Sequence, residues 1–240
     1  MGMPIAVELV GAPANALDII FNYFQSVDAR FSTYKPESEI SRINHGEVTA
    51  DAYSDEMREI FLRAEKTRQE TNGYFSITRP DGVVDPSGIV KGWAIHNAAL
   101  LAEQLGCTNY FIDAGGDIQS RGTDATDNPW TIGIRNPFAH HEIIKVVAPR
   151  GQGVATSGTY LRGQHIYNPH QPGATLGDIV SITVVGPNIY DADRFATAAF
   201  AMGRDGILFI EQLAAHEGYA VDAQGVATMT RGFEQHVVTQ

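Results

Sequence analysis

The period of the apolar residues changes along this chain, and that change constrains its fold more than any other feature. Up to Leu105 apolar side chains recur mainly at helical spacing; beyond Trp130 they mostly alternate or run in short stretches, as strands do. Leu17, Ile20, Phe21, Phe24 and Val27 predict a helix from about Ala14. Met57, Ile60, Phe61 and Ala64 predict a second from Ser54 to Thr71, stopped by Asn72-Gly73. A third is expected from Val90 to Leu105, ended by Gly106. One strand, Met3 to Val10, precedes them, and Phe31 to Glu39 reads as a polar loop. The second half supplies strands at Asn109–Ala114, Trp130–Ile134, Ile143–Ala148, Gly153–Thr156 and Val180–Val185. Helices are expected at Asp191–Met202 and Asp205–Ala215, then a hairpin of Tyr219–Val221 and Val226–Met229 across Asp222-Ala223-Gln224-Gly225. Strands and helices mix without strict βα alternation, which predicts an α+β fold with mixed, largely antiparallel sheets and packed helices. No repeat, low-complexity tract or linker divides the chain, so residues 1–240 are expected to form one domain.

Composition narrows the function classes. A net charge of −11 argues against wrapping nucleic acid, which needs Lys and Arg to neutralise phosphates, though a local basic pocket can still take a small anion. Cys107 is the one cysteine, so no internal disulfide forms and the spacings of structural zinc sites are absent. Its place between a helix and a strand predicts a buried, inert thiol. No stretch approaches the ~18 apolar residues of a membrane span, and the first residues show no targeting pattern. The expectation is a cytoplasmic protein without membrane insertion or nucleic-acid partner.

Four segments hold residues with chemical potential. On a helix, Asp193 and Thr197 fall on one side, a pairing suited to a hard cation such as Mg²⁺; a helix-capping role for Asp191 or Asp193 explains the same residues. Asp85-Pro86-Ser87-Gly88-Ile89-Val90-Lys91-Gly92 is a small-residue turn opening a helix, either a phosphate seat aided by Lys91 or a plain turn with a solvated lysine. Gly115-Gly116-Asp117 marks a tight turn or a close backbone approach and is not a GxGxxG fingerprint. Thr156-Ser157-Gly158, followed by His165, lacks the elbow of a serine nucleophile, and His165 with His170 matches no metalloprotease spacing.

Taken in order, these segments resemble the ApbE family, the FAD:protein FMN transferases. The resemblance runs nearly end to end. It is carried by Met1-Gly2-Met3, Ser32-Thr33-Tyr34, Ser38-Glu39-Ile40-Ser41-Arg42-Ile43-Asn44, Gly73-Tyr74-Phe75-Ser76-Ile77-Thr78 and Gly88-Ile89-Val90-Lys91-Gly92-Trp93. It continues through Gly115-Gly116-Asp117, Thr156-Ser157-Gly158, His165-Ile166-Tyr167-Asn168-Pro169 and Ala192-Asp193-Arg194-Phe195-Ala196-Thr197-Ala198. The resemblance implies an ApbE-like, T-fold-related architecture. It also implies FAD as substrate, Mg²⁺ as cofactor, and transfer of the FMN half to a threonine of an acceptor flavoprotein with release of AMP. FAD pyrophosphatases and flavin binders without turnover are the family's other outcomes. Carried over, Asp193 and Thr197 become metal ligands with a backbone carbonyl near Gly88. Tyr34, Gly88, Lys91, Gly115, Gly116, Thr156 and Ser157 line the FAD site, and Lys91 and His165 are the catalytic candidates, His165 deprotonating the acceptor hydroxyl. The chain departs from the family at Ser76, His96, Thr159 and Asn168, where acidic residues are usual, and is shorter between Ile77 and Asp85.

Overall fold

The computed structural model describes residues 2–158, 166–171, 173 and 176–238. Seven strands form one sheet in the order β1 (Ile5–Val10), β2 (Asn109–Ala114), β3 (Asp117–Arg121), β6 (Gly153–Gly158), β7 (Ile179–Gly186), β8 (Glu217–Asp222) and β9 (Ala227–Met229). Every neighbouring pair in it is antiparallel, and β4 (Ile132–Asn136) and β5 (Ala139–Val147) make a separate two-stranded ribbon. The expected α+β class with antiparallel sheets is the class found.

Helices enter as insertions between strands that are neighbours in the sheet. Between β1 and β2 lie α1 (Ala16–Phe31), α2 (Glu39–Asn44), α3 (Asp55–Glu70) and α4 (Ser87–Gln104). Between β7 and β8 lie α5 (Ile189–Ala201) and α6 (Gly206–Gln212). Alternation along each strand then divides two cores. Ile112, Ala155, Ile182 and Val184 face the helices, while Ile118, Val154, Val185 and Val221 face the β4–β5 ribbon and Phe233.

At the centre of the helical layer α5 is buried along most of its length and packs against the buried part of α4. At their contact Gly92 is small enough to let the two helix backbones approach. A Cβ built on Gly92 would lie 2.7 Å from Asp193 Cβ and 2.8 Å from the Ile189 carbonyl oxygen. The approach of β6 to α5 is tighter still, since a Cβ on Gly153 would sit 2.1 Å from the Ile189 nitrogen. Trp93 on α4 fills the space toward α1 and α3, edge-on to Phe31 at 5.7 Å, with its indole N–H donated to Glu59. Burying such a ring contributes about 1.5–3 kcal/mol.

Several elements differ from the sequence expectation. The loop expected over Phe31–Glu39 is found, but helix α2 after it was not foreseen: Ser38 caps it by accepting from the Ser41 N–H, and six residues are too few to display a period. Strand β3 was not foreseen because Asp117, Gln119 and Ser120 read as polar; all three are buried, and Gln119 accepts the Ile189 N–H while donating to the Gly151 carbonyl. Helix α4 starts at Ser87 and α6 stops at Gln212, just before Ala215 takes a φ of +60°. Cys107 is buried as expected, and burial raises its thiol. No helix among the described residues is long and apolar enough to cross a membrane.

Two outcomes follow from this packing. Gly153→Ala drives a methyl into backbone and should lower stability by about 3 kcal/mol or prevent folding, whereas Gly177→Ala, with open space around it, should stay within about 0.5 kcal/mol. Equal melting temperatures for the two variants would contradict the β6–α5 contact. His216 is buried, its Nδ1 bonded to the Ala214 carbonyl, and burial lowers its pKa in the folded chain. The unfolded chain therefore takes up this proton first. The stability that neutral His216 contributes is present above about pH 6.5 and is lost as the pH falls from there toward the folded-state value. Thermal melts across that range should show a drop that His216→Asn flattens.

Candidate functional site

The close contact of α4 with α5 sets the site. Helix α5 begins at Asn188, whose side chain accepts from the Asp191 N–H at 2.9 Å and donates to the Asp191 carboxylate. Capping is thus done by Asn188 and Asp191, which releases Asp193 from that role. Asp193 points across to α4, where its Oδ2 accepts the Gly92 N–H at 2.8 Å. That amide in a regular helix bonds to the carbonyl of Gly88. Sharing it with Asp193 leaves the Gly88 carbonyl with spare accepting capacity.

One turn further along α5, Thr197 meets the opening of α4. A Cβ on Gly88 would lie 3.3 Å from Thr197 Cγ2, 3.7 Å from its Oγ1 and 3.5 Å from the Phe75 ring. The three residues expected to share a metal, Asp193, Thr197 and Gly88, are therefore brought together by the fold.

Lys91 and Asp117 complete the cluster. The Lys91 ammonium pairs with Asp117 Oδ2 and lies 3.4 Å from Asp193 Oδ1. Asp117 also accepts the Thr156 N–H at 3.0 Å. Its place at the start of β3 follows from the glycine turn before it: Gly115 and Gly116 have φ of +65° and +94°, which side-chain-bearing residues rarely adopt. Gly115 donates its N–H to the Pro4 carbonyl and packs under Met3, and Gly116 donates to Asp113. Burial raises the Asp113 carboxyl, and the Gly116 N–H opposes the rise.

Electrostatically the cluster holds two carboxylates against one ammonium, all largely out of water. Burial pushes the Asp193 carboxyl well above the usual carboxylate range; Lys91 opposes this and Asp117 adds to it. A buried excess of carboxylate oxygen attracts a cation. Among the described residues no group of three or more His, Cys, Asp or Glu side chains is placed to hold a metal, so any ion here must also draw on hydroxyl, carbonyl and external oxygens. Mg²⁺ suits such a set, since it takes one or two carboxylates and completes its shell from water and phosphate.

The other expected residues fall as follows. Tyr34 is 88 % exposed in the loop between α1 and α2. Ser157 is buried on the helix-facing side of β6, in alternation with Ala155. The Thr156 hydroxyl points to the opposite face, where it bonds Thr183 at 2.8 Å, so Thr156 meets the cluster through its backbone N–H. His165 and Thr159 lie outside the described residues. Of the departures from the family pattern, Ser76 and Asn168 each close a local turn, onto Thr78 and His170. His96 lines a cavity of about 300 Å³ with Glu103, Arg121 and Asn188, none of which belongs to the Lys91 cluster. Asp117 and Gly92 both stand within the sequence motifs, where neither had an assigned role. The signal for both was pairing across the fold, which spacing along the chain does not carry.

The sequence profile of the ApbE family matches residues 1–81 and 78–221. The FAD:protein FMN transferase of Salmonella typhimurium is 30% identical over 151 residues, 59% of this chain and 42% of that protein. The chain thus spans less than half the length of that curated relative. The Haemophilus influenzae protein of the same name is 26% identical over 251 residues, covering 78% of this chain and 72% of its own. Among solved structures, the flavin transferase ApbE from Vibrio cholerae superposes with a TM-score of 0.84 at 22% identity, over 98% of this chain and 96% of that one, which shows a shared fold. With the family profile matching most of its length, this chain belongs to the ApbE family.

Proposed function

We propose that this chain is a Mg²⁺-dependent FAD:protein FMN transferase, which moves the FMN half of FAD onto a threonine hydroxyl of an acceptor flavoprotein and releases AMP. The observation that carries this reading is the convergence of Asp193, Thr197 and Gly88 beside the Lys91–Asp117 pair. Relatives bearing that activity's name support the choice of substrate.

Asp193 Oδ1, Thr197 Oγ1 and the Gly88 carbonyl are the oxygens that would hold the ion. A bound Mg²⁺ supplies Lewis-acid neutralisation of the charge that gathers on the diphosphate oxygens. The chain itself supplies positioning, which is most of what phosphoryl-type transfer demands. Lys91 holds the two carboxylates at fixed places, and its positive charge would favour a phosphate oxygen nearby. The glycine turn at Gly115-Gly116 lets backbone approach the dinucleotide, and the exposed Tyr34 ring offers an aromatic face to the flavin. In the transfer, the threonine oxygen bonds to the FMN phosphorus while the bridging P–O bond breaks. AMP leaves with the bridging oxygen. The hydroxyl proton would pass to His165, an imidazole in general being able to take a proton near neutral pH. With water in place of threonine the same step hydrolyses FAD to FMN and AMP. We take the working compartment to be the cytoplasm, where a lone thiol stays reduced.

The test is incubation with FAD, Mg²⁺ and an acceptor flavoprotein carrying a threonine motif. A covalently yellow acceptor with equimolar AMP is the expected result. FMN and AMP without labelled acceptor would make the protein a hydrolase, and unchanged FAD would sink the proposal. Asp193→Ala should lower the rate at least about 100-fold while the chain stays folded; full activity in that variant would remove the metal assignment. Lys91→Met leaves Asp117 and Asp193 facing one another without their shared cation. It should cost about 3 kcal/mol of stability, partly recovered in the Lys91→Met/Asp117→Asn double variant. No recovery in that thermal melt would mean that the ammonium does not act by balancing Asp117.

A further inference from the structure

Arg194 follows Asp193 directly on α5, and it is nearly as buried, with 6 % of its surface exposed. Its guanidinium faces α3. Nε and Nη2 reach Asp191 Oδ1 at 2.8 and 2.7 Å, Nη1 pairs with Glu70, and Nη1 also reaches Thr67 Oγ1 at 3.3 Å. The Thr67 hydroxyl donates in turn to the Arg63 carbonyl, which leaves its oxygen to accept from Arg194. The Phe195 ring lies 3.8 Å below the guanidinium carbon, and Tyr190 lies 5.2 Å from it.

A buried arginine costs desolvation energy that an apolar residue would not, so its place next to Asp193 calls for a physical reason. The remaining packing of α5 explains it. Ile189, Tyr190, Phe195 and Phe200 anchor this helix, but Ala192, Ala196, Ala198, Ala199 and Ala201 make up much of the rest of its buried surface, and such shallow ridges interlock little against rotation about the helix axis. Rotation is what the site cannot tolerate: about 15° moves a carboxylate oxygen some 5 Å from the axis by more than 1 Å. Errors of that size matter to reaction geometry. Polar locks therefore set the angle. Gln119 and Asn188 hold the start of the helix, Asp193 itself grips Gly92, and Arg194 ties the next position to α3.

Charge is arranged to the same end. Arg194 sits between two carboxylates, Asp191 and Glu70, so its positive charge is compensated locally and does not oppose a cation at the neighbouring residue. The fork geometry of a guanidinium can bridge a carboxylate on its own helix and one on the next; a point ammonium cannot do both equally well.

We propose that Arg194 is a positioning residue that sets the rotation of α5, and thereby the reach of Asp193 and Thr197 toward the ion. The inference rests on the metal reading above and concerns a residue that makes no contact with the Lys91 cluster. The test titrates the full chain with Mn²⁺ alone, following free Mn²⁺ by electron paramagnetic resonance, beside Mg²⁺ dependence of FAD turnover. Arg194→Met should weaken Mn²⁺ binding about tenfold. It should also raise the Mg²⁺ concentration for half-maximal turnover by a similar factor, with kcat at saturating Mg²⁺ within about threefold of the parent. A merely structural role would reduce the folded fraction and the signal amplitude without moving either midpoint. Arg194→Lys should fall between the two. If Arg194→Met does not fold, Glu70→Gln, which keeps the Asp191 contacts, should still shift both midpoints about threefold. Unshifted midpoints in the folded variants overturn the inference while a Mn²⁺ site lost in Asp193→Ala upholds the metal reading. A parent protein and Asp193→Ala that bind Mn²⁺ alike overturn both.

Discussion

The contact on which the site depends is the seating of the Asp193 carboxylate against the Gly92 amide, at the closest approach of two buried helices. It places a charge in the least solvated part of the molecule, where an unbalanced carboxylate is costly. Two things offset that cost. A backbone N–H donates to it and the Lys91 ammonium stands near it, both opposing the rise in proton affinity that burial causes. The glycine at position 92 is a condition of the arrangement, since any Cβ would occupy the carboxylate's own space.

The rest of the fold can be understood as support for that contact. The sheet brings Asp117 under Lys91 through a two-glycine turn, and Gln119 on the same strand fastens the first residue of α5. Polar residues in β3 would weaken an ordinary central strand. Here Asp117 and Gln119 bind across to Thr156, Ile189 and Gly151, and the strand serves as the link between the hairpin turn and the helix pair. The β4–β5 ribbon covers the other face of the sheet. Its role is to bury Ile118, Val154 and Val185.

This division between frame and cluster bears on the departures from the family pattern. Ser76 and Asn168 satisfy local turns, and His96 opens on a cavity that Lys91, Asp117 and Asp193 do not line. The carboxylates that do meet at the cluster, Asp117 and Asp193, are both retained. The replacements at Ser76, His96 and Asn168 therefore leave Asp117 and Asp193 in place.

What the residue order determined by itself was local and periodic. Helical spacing located α1 and α3 and most of α4, alternation located most strands, and one turn of helix was enough to put Asp193 and Thr197 on a common side. The Gly-Gly-Asp run announced a turn, and the ordered motifs announced a family. Tertiary structure decided what those residues face. It separated the capping aspartate, Asp191, from the one that crosses to α4, and it turned the Thr156 hydroxyl away while keeping its N–H at the cluster. It also joined Arg194 to Glu70, two residues that no sequence period connects. The reason is physical: backbone periodicity sets the direction of a side chain from its own element, whereas burial and charge pairing depend on which element packs opposite.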